Sequence, residues 1–220
     1  MLRIHCIQGP AYFSNTYIIF QEQTSQAVII DPGQEDISQL DAILTGKATR
    51  VPYVILTHEH FDHISGTNSV RLRYGSKIIC SEVCASFIGD PKKNLSRYIK
   101  QHDILVGPHD YSIEQLDGVI QWNDSLIRLI NTPGHTPGSI CVGMDKSLFT
   151  GDTILESGHA RCNLPGGSRL AWKQSLHLLL NEFSPDNIVY PGHGNPFPFS
   201  QVNEIYGGSQ DAKKKGPDNH

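Results

Sequence analysis

No stretch of the 220-residue chain approaches the roughly 18 consecutive apolar residues that a membrane-spanning helix needs. Met1 to Phe13 carries an arginine, a histidine, a glutamine and Gly9-Pro10, so the continuous apolar centre of a secretory signal is missing as well. Basic charge is scarce: 18 Lys and Arg stand against 22 Asp and Glu, a formal net charge of -4. That balance lacks the basic patches of a nucleic-acid binder, and Lys213-Lys214-Lys215 reads as a solvated end. Five cysteines, Cys6, Cys80, Cys84, Cys141 and Cys162, form an odd and scattered set without a C-x-x-C pair. This excludes a disulfide scaffold and a structural thiolate zinc site, and it suits a reducing compartment; Cys80 and Cys84 read as two reduced, packed thiols. No repeat of short period is present. The expectation is a soluble, cytoplasmic protein with one domain over residues 1–205 and a flexible tail over 206–220, bound to neither nucleic acid nor membrane.

What the chain does have is histidine in pattern. The run His58-Glu59-His60-Phe61-Asp62-His63 follows an apolar strand-like segment, Val54-Ile55-Leu56. In extended chain His58 and His60 fall on one face, whereas Asp62 and His63 come where the chain turns toward a helix. Two imidazoles do not complete a site for zinc or iron, so further ligands are required. Three later junctions offer them: His135 inside Thr132-Pro133-Gly134-His135-Thr136-Pro137-Gly138, Asp152 inside Phe149-Thr150-Gly151-Asp152-Thr153, and His193 inside Tyr190-Pro191-Gly192-His193-Gly194. Each stands where a strand ends and a glycine-bearing loop begins, the usual place for sites carried on a rigid sheet. A lone His-x-His is more often an accident of composition, and Gly-His-Thr-Pro-Gly alone is a plain turn. Seven such residues at compatible junctions are not. His5, His102, His109, His177 and His220 read as surface or packed residues, and His159 lies close enough to the site loops to keep in view. Glu59, between two ligand positions, points to the opposite face, with a surface or supporting role.

This set resembles the metallo-β-lactamase superfamily of metal-dependent hydrolases, whose H-x-H-x-D-H motif stands here as His58, His60, Asp62 and His63, followed in order by His135, Asp152 and His193. The resemblance implies a four-layer αββα sandwich of α/β class. It also implies two divalent metal ions, zinc in the first instance with iron or manganese as alternatives. His58, His60 and His135 would hold one, Asp62, His63 and His193 the other, and Asp152 would bridge them. Two metals roughly 3.5 to 4 Å apart bind and acidify a water, making a metal-bound hydroxide the nucleophile. Asp62 is then also the candidate catalytic residue that orients this nucleophile or shuttles its proton.

Within that superfamily, Asp152 and Ala160-Arg161-Cys162-Asn163-Leu164-Pro165-Gly166-Gly167-Ser168 are similar to the glyoxalase II-like branch, which often reads G-R-x-D-L-P-G-G-S at that point. The branch implies a thioesterase, with Arg161 and Asn163 as substrate-binding candidates. Ala160 and Asn163 depart from its pattern, and the chain ends soon after His193, where glyoxalase II enzymes continue into a helical domain that holds glutathione. The expected substrate is therefore a small-molecule thioester, either acyl-glutathione or acyl-pantetheine, with an acyl carrier protein as a possible partner in polyketide biosynthesis. Lys92 and Lys93 are weaker candidates for a phosphate contact. The alternatives are a mononuclear iron persulfide dioxygenase and a non-catalytic binding member of the fold.

The remaining sequence predicts three opening strands near Arg3–Ile7, Tyr17–Phe20 and Ala27–Ile30, then a helix over Asp36–Leu44 stopped by Gly46. A helix over Thr67–Tyr74 and a strand over Lys77–Cys80 follow. Asp117-Gly118 and Asn123-Asp124 punctuate a second meander that continues through Ser139–Val142 and Ser147–Phe149. Leu176, Leu179, Leu180 and Phe183 form the stripe of a last amphipathic helix. Residues 88–110 lack a clear period and read either as part of a substrate mouth or as a plain connection. Beyond Val202 the chain is expected to fray.

Overall fold

A computed structural model describes residues 2–21, 24–47, 50–99, 102–158 and 161–207. His159, Ala160, His220 and the Lys213–Lys215 cluster lie outside the described residues. Two six-stranded sheets follow one another in sequence. The first holds β1 (Leu2–Gln8), β2 (Asn15–Gln21), β3 (Gln26–Ile30), β4 (Arg50–Ile55), β5 (Lys77–Cys80) and β6 (Tyr111–Ser112), in that spatial order. The second holds β7 (Val119–Trp122), β8 (Ser125–Asn131), β9 (Ile140–Met144), β10 (Ser147–Gly151), β11 (Ile188–Pro191) and β12 (Phe197–Pro198). Both sheets are mixed. In the first, β3, β4, β5 and β6 run parallel; in the second, only the β10–β11 pair does.

The helices are α1 (Ser38–Leu44), α2 (Phe61–Ile64), α3 (Thr67–Tyr74), α4 (Glu82–Phe87), α5 (Ser96–Ile99), α6 (Arg169–Glu182) and α7 (Val202–Gly207). The apolar residues divide into three buried clusters, which are the three seams of a four-layer stack. Period-2 alternation sorts the strand residues between seams. Ile18, Ile29, Val54 and Ile78 face α1 and α3, whereas Ile19, Ile30, Ile55 and Ile79 face the second sheet. On the far side Cys141, Leu148 and Val189 pack against Trp172, Leu176 and Leu179 of α6. Strands covered on both faces read as continuous apolar runs. The αββα sandwich is the observed architecture.

Several boundaries differ from the sequence reading. Helix α6 starts well before its leucine stripe, because the Ser168 hydroxyl accepts a hydrogen bond from the Ala171 N–H and caps it. Phe183 lies beyond the helix in extended conformation (φ -110°, ψ 140°) and packs near Gly143. Helix α1 starts at Ser38, not Asp36, because the Asp36 carboxylate accepts from the Ser38 N–H instead. The chain does not fray at Val202. Helix α7 continues to Gly207, and Tyr206 packs on Trp172 while its hydroxyl bonds both the N–H and the carbonyl of Leu155.

This topology collects the site at one edge. Strands β3, β4, β8, β10 and β11 all point their C-terminal ends the same way, and the sheets are stitched together there: Ile140 N–H donates to Thr57 O at 2.8 Å and Asn15 N–H to Gly192 O at 2.7 Å.

Candidate metal centre

The strand ends deliver all seven residues of the histidine and aspartate set to this edge. His58 and His60 follow β4, Asp62 and His63 lie in α2, His135 sits in the β8–β9 turn, Asp152 follows β10 and His193 follows β11. His58, His60 and His135 bring one ligand atom each within 4.8 Å of one another, and so do Asp62, His63 and His193. In the first group His60 Nδ1 lies 3.0 Å from His135 Nε2; in the second, His63 Nε2 lies 3.3 Å from His193 Nε2. Asp152 stands between the groups, with its carboxylate 3.5 Å from His135 Nε2, 3.6 Å from His63 Nε2 and 3.5 Å from His193 Nε2.

A cation fits this arrangement for a reason independent of the motif. His58 Nε2 and Asp152 Oδ1 are buried and accept or donate no hydrogen bond, which costs roughly 1–3 kcal/mol per group if nothing compensates it. Nitrogen and oxygen donors in this mixture suit zinc, iron or manganese.

Burial and charge divide the candidate ligands. Burial holds the His58 imidazole well below its ordinary pKa and brings His60 down to about 3; His135 is lowered by the same cause. Those three imidazoles are neutral lone-pair donors. For His63, burial is outweighed by the carboxylates of Asp62, Asp152 and Asp31, which push it up to about 10. His193 is raised by Asp62 and Asp152 against the same burial. Asp62 is held well below the usual carboxylate range by His63 and His193, although burial alone would raise it.

The rings are also held from behind. His63 Nδ1 lies 2.9 Å from Asp31 Oδ2, His135 Nδ1 lies 2.7 Å from the Arg161 carbonyl, and His58 Nδ1 lies 3.1 Å from Thr57 Oγ1. Such partners fix the tautomer and the orientation of a ligand ring. Asp31 itself accepts from Thr57 N–H at 2.7 Å and from Thr57 Oγ1 at 2.5 Å. Asp31 directly follows β3 and was not among the candidates singled out from the sequence. Its signal was of the same kind as that of Asp152 and His193, an ionisable residue close to a glycine at the end of an apolar strand.

Glu59 is not at the surface. It is 2% exposed, because α4 and the Pro137-Gly138 turn cover it, and its carboxylate accepts a 2.9 Å hydrogen bond from the Thr136 hydroxyl. Burial raises its pKa. It thereby ties the loop of His58 and His60 to the loop of His135.

The groups open into a cleft of about 560 Å³ whose lining includes Arg161 as well as Leu95 and Ile99 of the 88–110 segment. Asn163 is exposed and outside that lining, and Lys92 and Lys93 are exposed elsewhere, with Lys93 over the Phe87 ring. Cys80 and Cys84 are free, buried thiols. No helix among the described residues is long and apolar enough to cross a membrane.

The family model of the metallo-beta-lactamase superfamily matches residues 9–193, which spans every candidate ligand position above. The chain belongs to the metallo-beta-lactamase superfamily. Among its relatives, the probable polyketide biosynthesis zinc-dependent hydrolase PksB of Bacillus subtilis is 27% identical over 191 residues, covering 86% of this chain and 77% of PksB. The probable metallo-hydrolase YqgX of the same organism is 27% identical over 183 residues, covering 82% and 85%. The crystal structure of the B3 metallo-beta-lactamase BLEG-1 superposes with a TM-score of 0.84 at 26% identity, covering 93% of this chain and 97% of that one. Together with the histidine cluster, these superfamily relatives support a metal-dependent hydrolase.

Proposed function

We propose that the chain is a binuclear metal-dependent hydrolase that cleaves thioesters of an acyl group with a pantetheine-type or glutathione-type thiol. The observation that carries the two-metal part is the position of Asp152 between two complete ligand groups. His58, His60 and His135 would hold one ion, Asp62, His63 and His193 the other, with Asp152 shared. Two divalent ions in such a set supply an acidified water and a Lewis-acid face for the substrate carbonyl.

The side chains do the rest. Asp62, open to the cleft, is suited to orient the attacking water by accepting a hydrogen bond from it at its carboxylate. Attack at the carbonyl carbon breaks the C–S bond and releases a carboxylic acid and a thiol. Arg161 at the cleft supplies a fixed positive charge for a phosphate or carboxylate of the thiol carrier. Asn163, outside the cleft, would contact only the part of the carrier that remains outside it.

The departures from the glyoxalase II-like pattern at Ala160 and Asn163 favour a pantetheine carrier, small or borne on an acyl carrier protein, and the description of PksB as a polyketide biosynthesis hydrolase supports the same choice. The test is thiol release by the zinc-loaded protein from acyl-pantetheine, from S-lactoylglutathione and, because of the likeness to BLEG-1, ring opening of a β-lactam. Faster cleavage of acyl-pantetheine is expected. Ring opening without thioester cleavage would replace this reading with a lactamase, and a single iron with oxygen uptake on a persulfide would replace it with a dioxygenase.

A further inference from the structure

Six residues other than glycine adopt positive φ among the described residues: Phe13, Asp31, Leu95, Asp117, Asn123 and Asp145. Four are Asp or Asn, whose short polar side chains tolerate that conformation. Asn123 and Asp145 occupy hairpin turns of the second sheet, Asp117 lies in the turn that leads into β7, and Asp31 holds His63. Phe13 (φ 56°) and Leu95 (φ 67°) are bulky and apolar, so turn chemistry does not account for them, and both line the cleft of the metal ligands. Strain of this kind persists only where the surroundings impose it, and it gathers at ligand-binding positions.

Here the surroundings are the metal ligands' own backbone. Phe13 precedes Ser14, whose hydroxyl donates to the Asp62 carbonyl at 2.6 Å and whose backbone bridges to His193. Leu95 is clamped between Asn94 and Ser96, both fully buried. The Asn94 side-chain amide donates to the carbonyls of Ile88 and Ile104, the Asn94 backbone carbonyl accepts from Phe61 N–H at 2.9 Å, and Ser96 Oγ accepts from Ile104 N–H. Phe13 is also 60% exposed and Ile99, on the neighbouring helix α5, 51% exposed. Tyr12, Phe61, Leu155 and Leu164 complete the apolar lining, whereas Arg161 is its single Lys or Arg among the described residues.

We propose that the apolar part of the cleft is an acyl-chain subsite, walled by Phe13, Leu95 and Ile99, that selects aliphatic acyl thioesters over short polar ones. The choice of thioester rests on the hydrolase reading above, but the subsite does not. Each added methylene removes apolar surface from water in the cleft, which corresponds to roughly three- to fourfold in affinity or specificity constant. Phe13 and Leu95 accept an unfavourable backbone because it aims a rigid apolar side chain at the position where the acyl chain must lie.

The experiment uses the zinc-loaded full chain with acetyl-, butyryl-, hexanoyl- and octanoyl-pantetheine, on wild type, Phe13→Asn and Ile99→Ser. In wild type kcat/KM should rise about three- to fourfold per methylene over the early part of the series, and each variant should flatten that rise. Phe13→Asn should melt no lower than wild type, because asparagine relieves the backbone strain, so a flattened series in that variant is not a folding defect. A flat wild-type series, or variants with the wild-type slope, would overturn the subsite. Calorimetric binding of octanoate against acetate separates it from the reaction. Octanoate bound at least tenfold tighter than acetate, with the gap lost in Phe13→Asn, supports the subsite even if no thioester is cleaved, and that result sinks the thioesterase alone. Equal or absent binding of the two acids overturns the subsite.

Discussion

Asp31 Oδ2 lies 2.9 Å from His63 Nδ1, where the His63 side chain is fully buried and that of Asp31 is 3% exposed. The carboxylate that orients His63 is in turn fixed by two hydrogen bonds from Thr57, the residue before His58. One buried aspartate thus couples the strand end of one ligand group to a ring of the other. Replacing Asp31 by Asn should weaken metal binding by about 10- to 100-fold, the usual scale for losing such a partner. Chelator competition on the purified variant measures this. An unchanged affinity would mean that packing alone holds His63.

Two glycines flank His193 and should behave differently on substitution. A Cβ on Gly192 would fall on Asp152 Oδ1 and within 2.8 Å of His63 Cε1, whereas a Cβ on Gly194 would find its nearest neighbour, Glu156, at 3.4 Å. Gly194 instead needs its positive φ of 85°. Gly192→Ala is therefore expected to lose metal by an order of magnitude or more. Gly194→Ala should cost about 1–3 kcal/mol of stability with metal affinity largely kept. Parallel zinc titrations and thermal melts distinguish the two, and equal metal loss in both would contradict the assignment.

The seven candidate ligands stood out in the sequence because metal chemistry calls for those residue types at strand ends, and a strand end is marked by its apolar run and its glycine; the fold brings the seven to one edge. Asp31 carried the same mark, yet its task depends on where His63 comes to lie after folding, 32 residues later, and no local pattern encodes that. Alternation gave the right direction for Glu59 but not its burial, since the cover comes from α4 and from the turn at Gly138. Most strands followed from their apolar runs and turns, whereas their assembly into two packed sheets was implied by the resemblance to the metallo-β-lactamase superfamily. Start points such as that of α6 did not follow from the leucine stripe, because the cap at Ser168 lies outside it. The strain at Phe13 and Leu95 was invisible, since residue type does not reveal φ where tertiary hydrogen bonds impose it.

Away from the site, Asp110 accepts from Arg71, Lys77 and the Ile78 N–H, each at 2.9 Å, and so joins α3 to β5, the neighbour of the ligand-bearing strand β4. Burial would raise its pKa, but these three donors hold it below the ordinary carboxylate value. A depressed folded-state pKa contributes stability that is present above the unfolded value of about 4 and is lost as pH falls through the folded one. Asp110→Asn should therefore destabilise by about 1–2 kcal/mol at neutral pH. The deficit should shrink at pH values below about 4. Denaturant melts of the metal-free protein at several pH values measure it, and a pH-independent deficit would contradict the assignment.

The central claim is that Asp152 joins two metal positions, and the most direct test is elemental analysis of the zinc-saturated, desalted full chain beside Asp152→Ala. The account predicts two zinc ions per chain in the wild type, with the ratio falling to one or below in the variant while the circular dichroism of the fold is retained. One ion per wild-type chain, or two ions held equally well without Asp152, would contradict it.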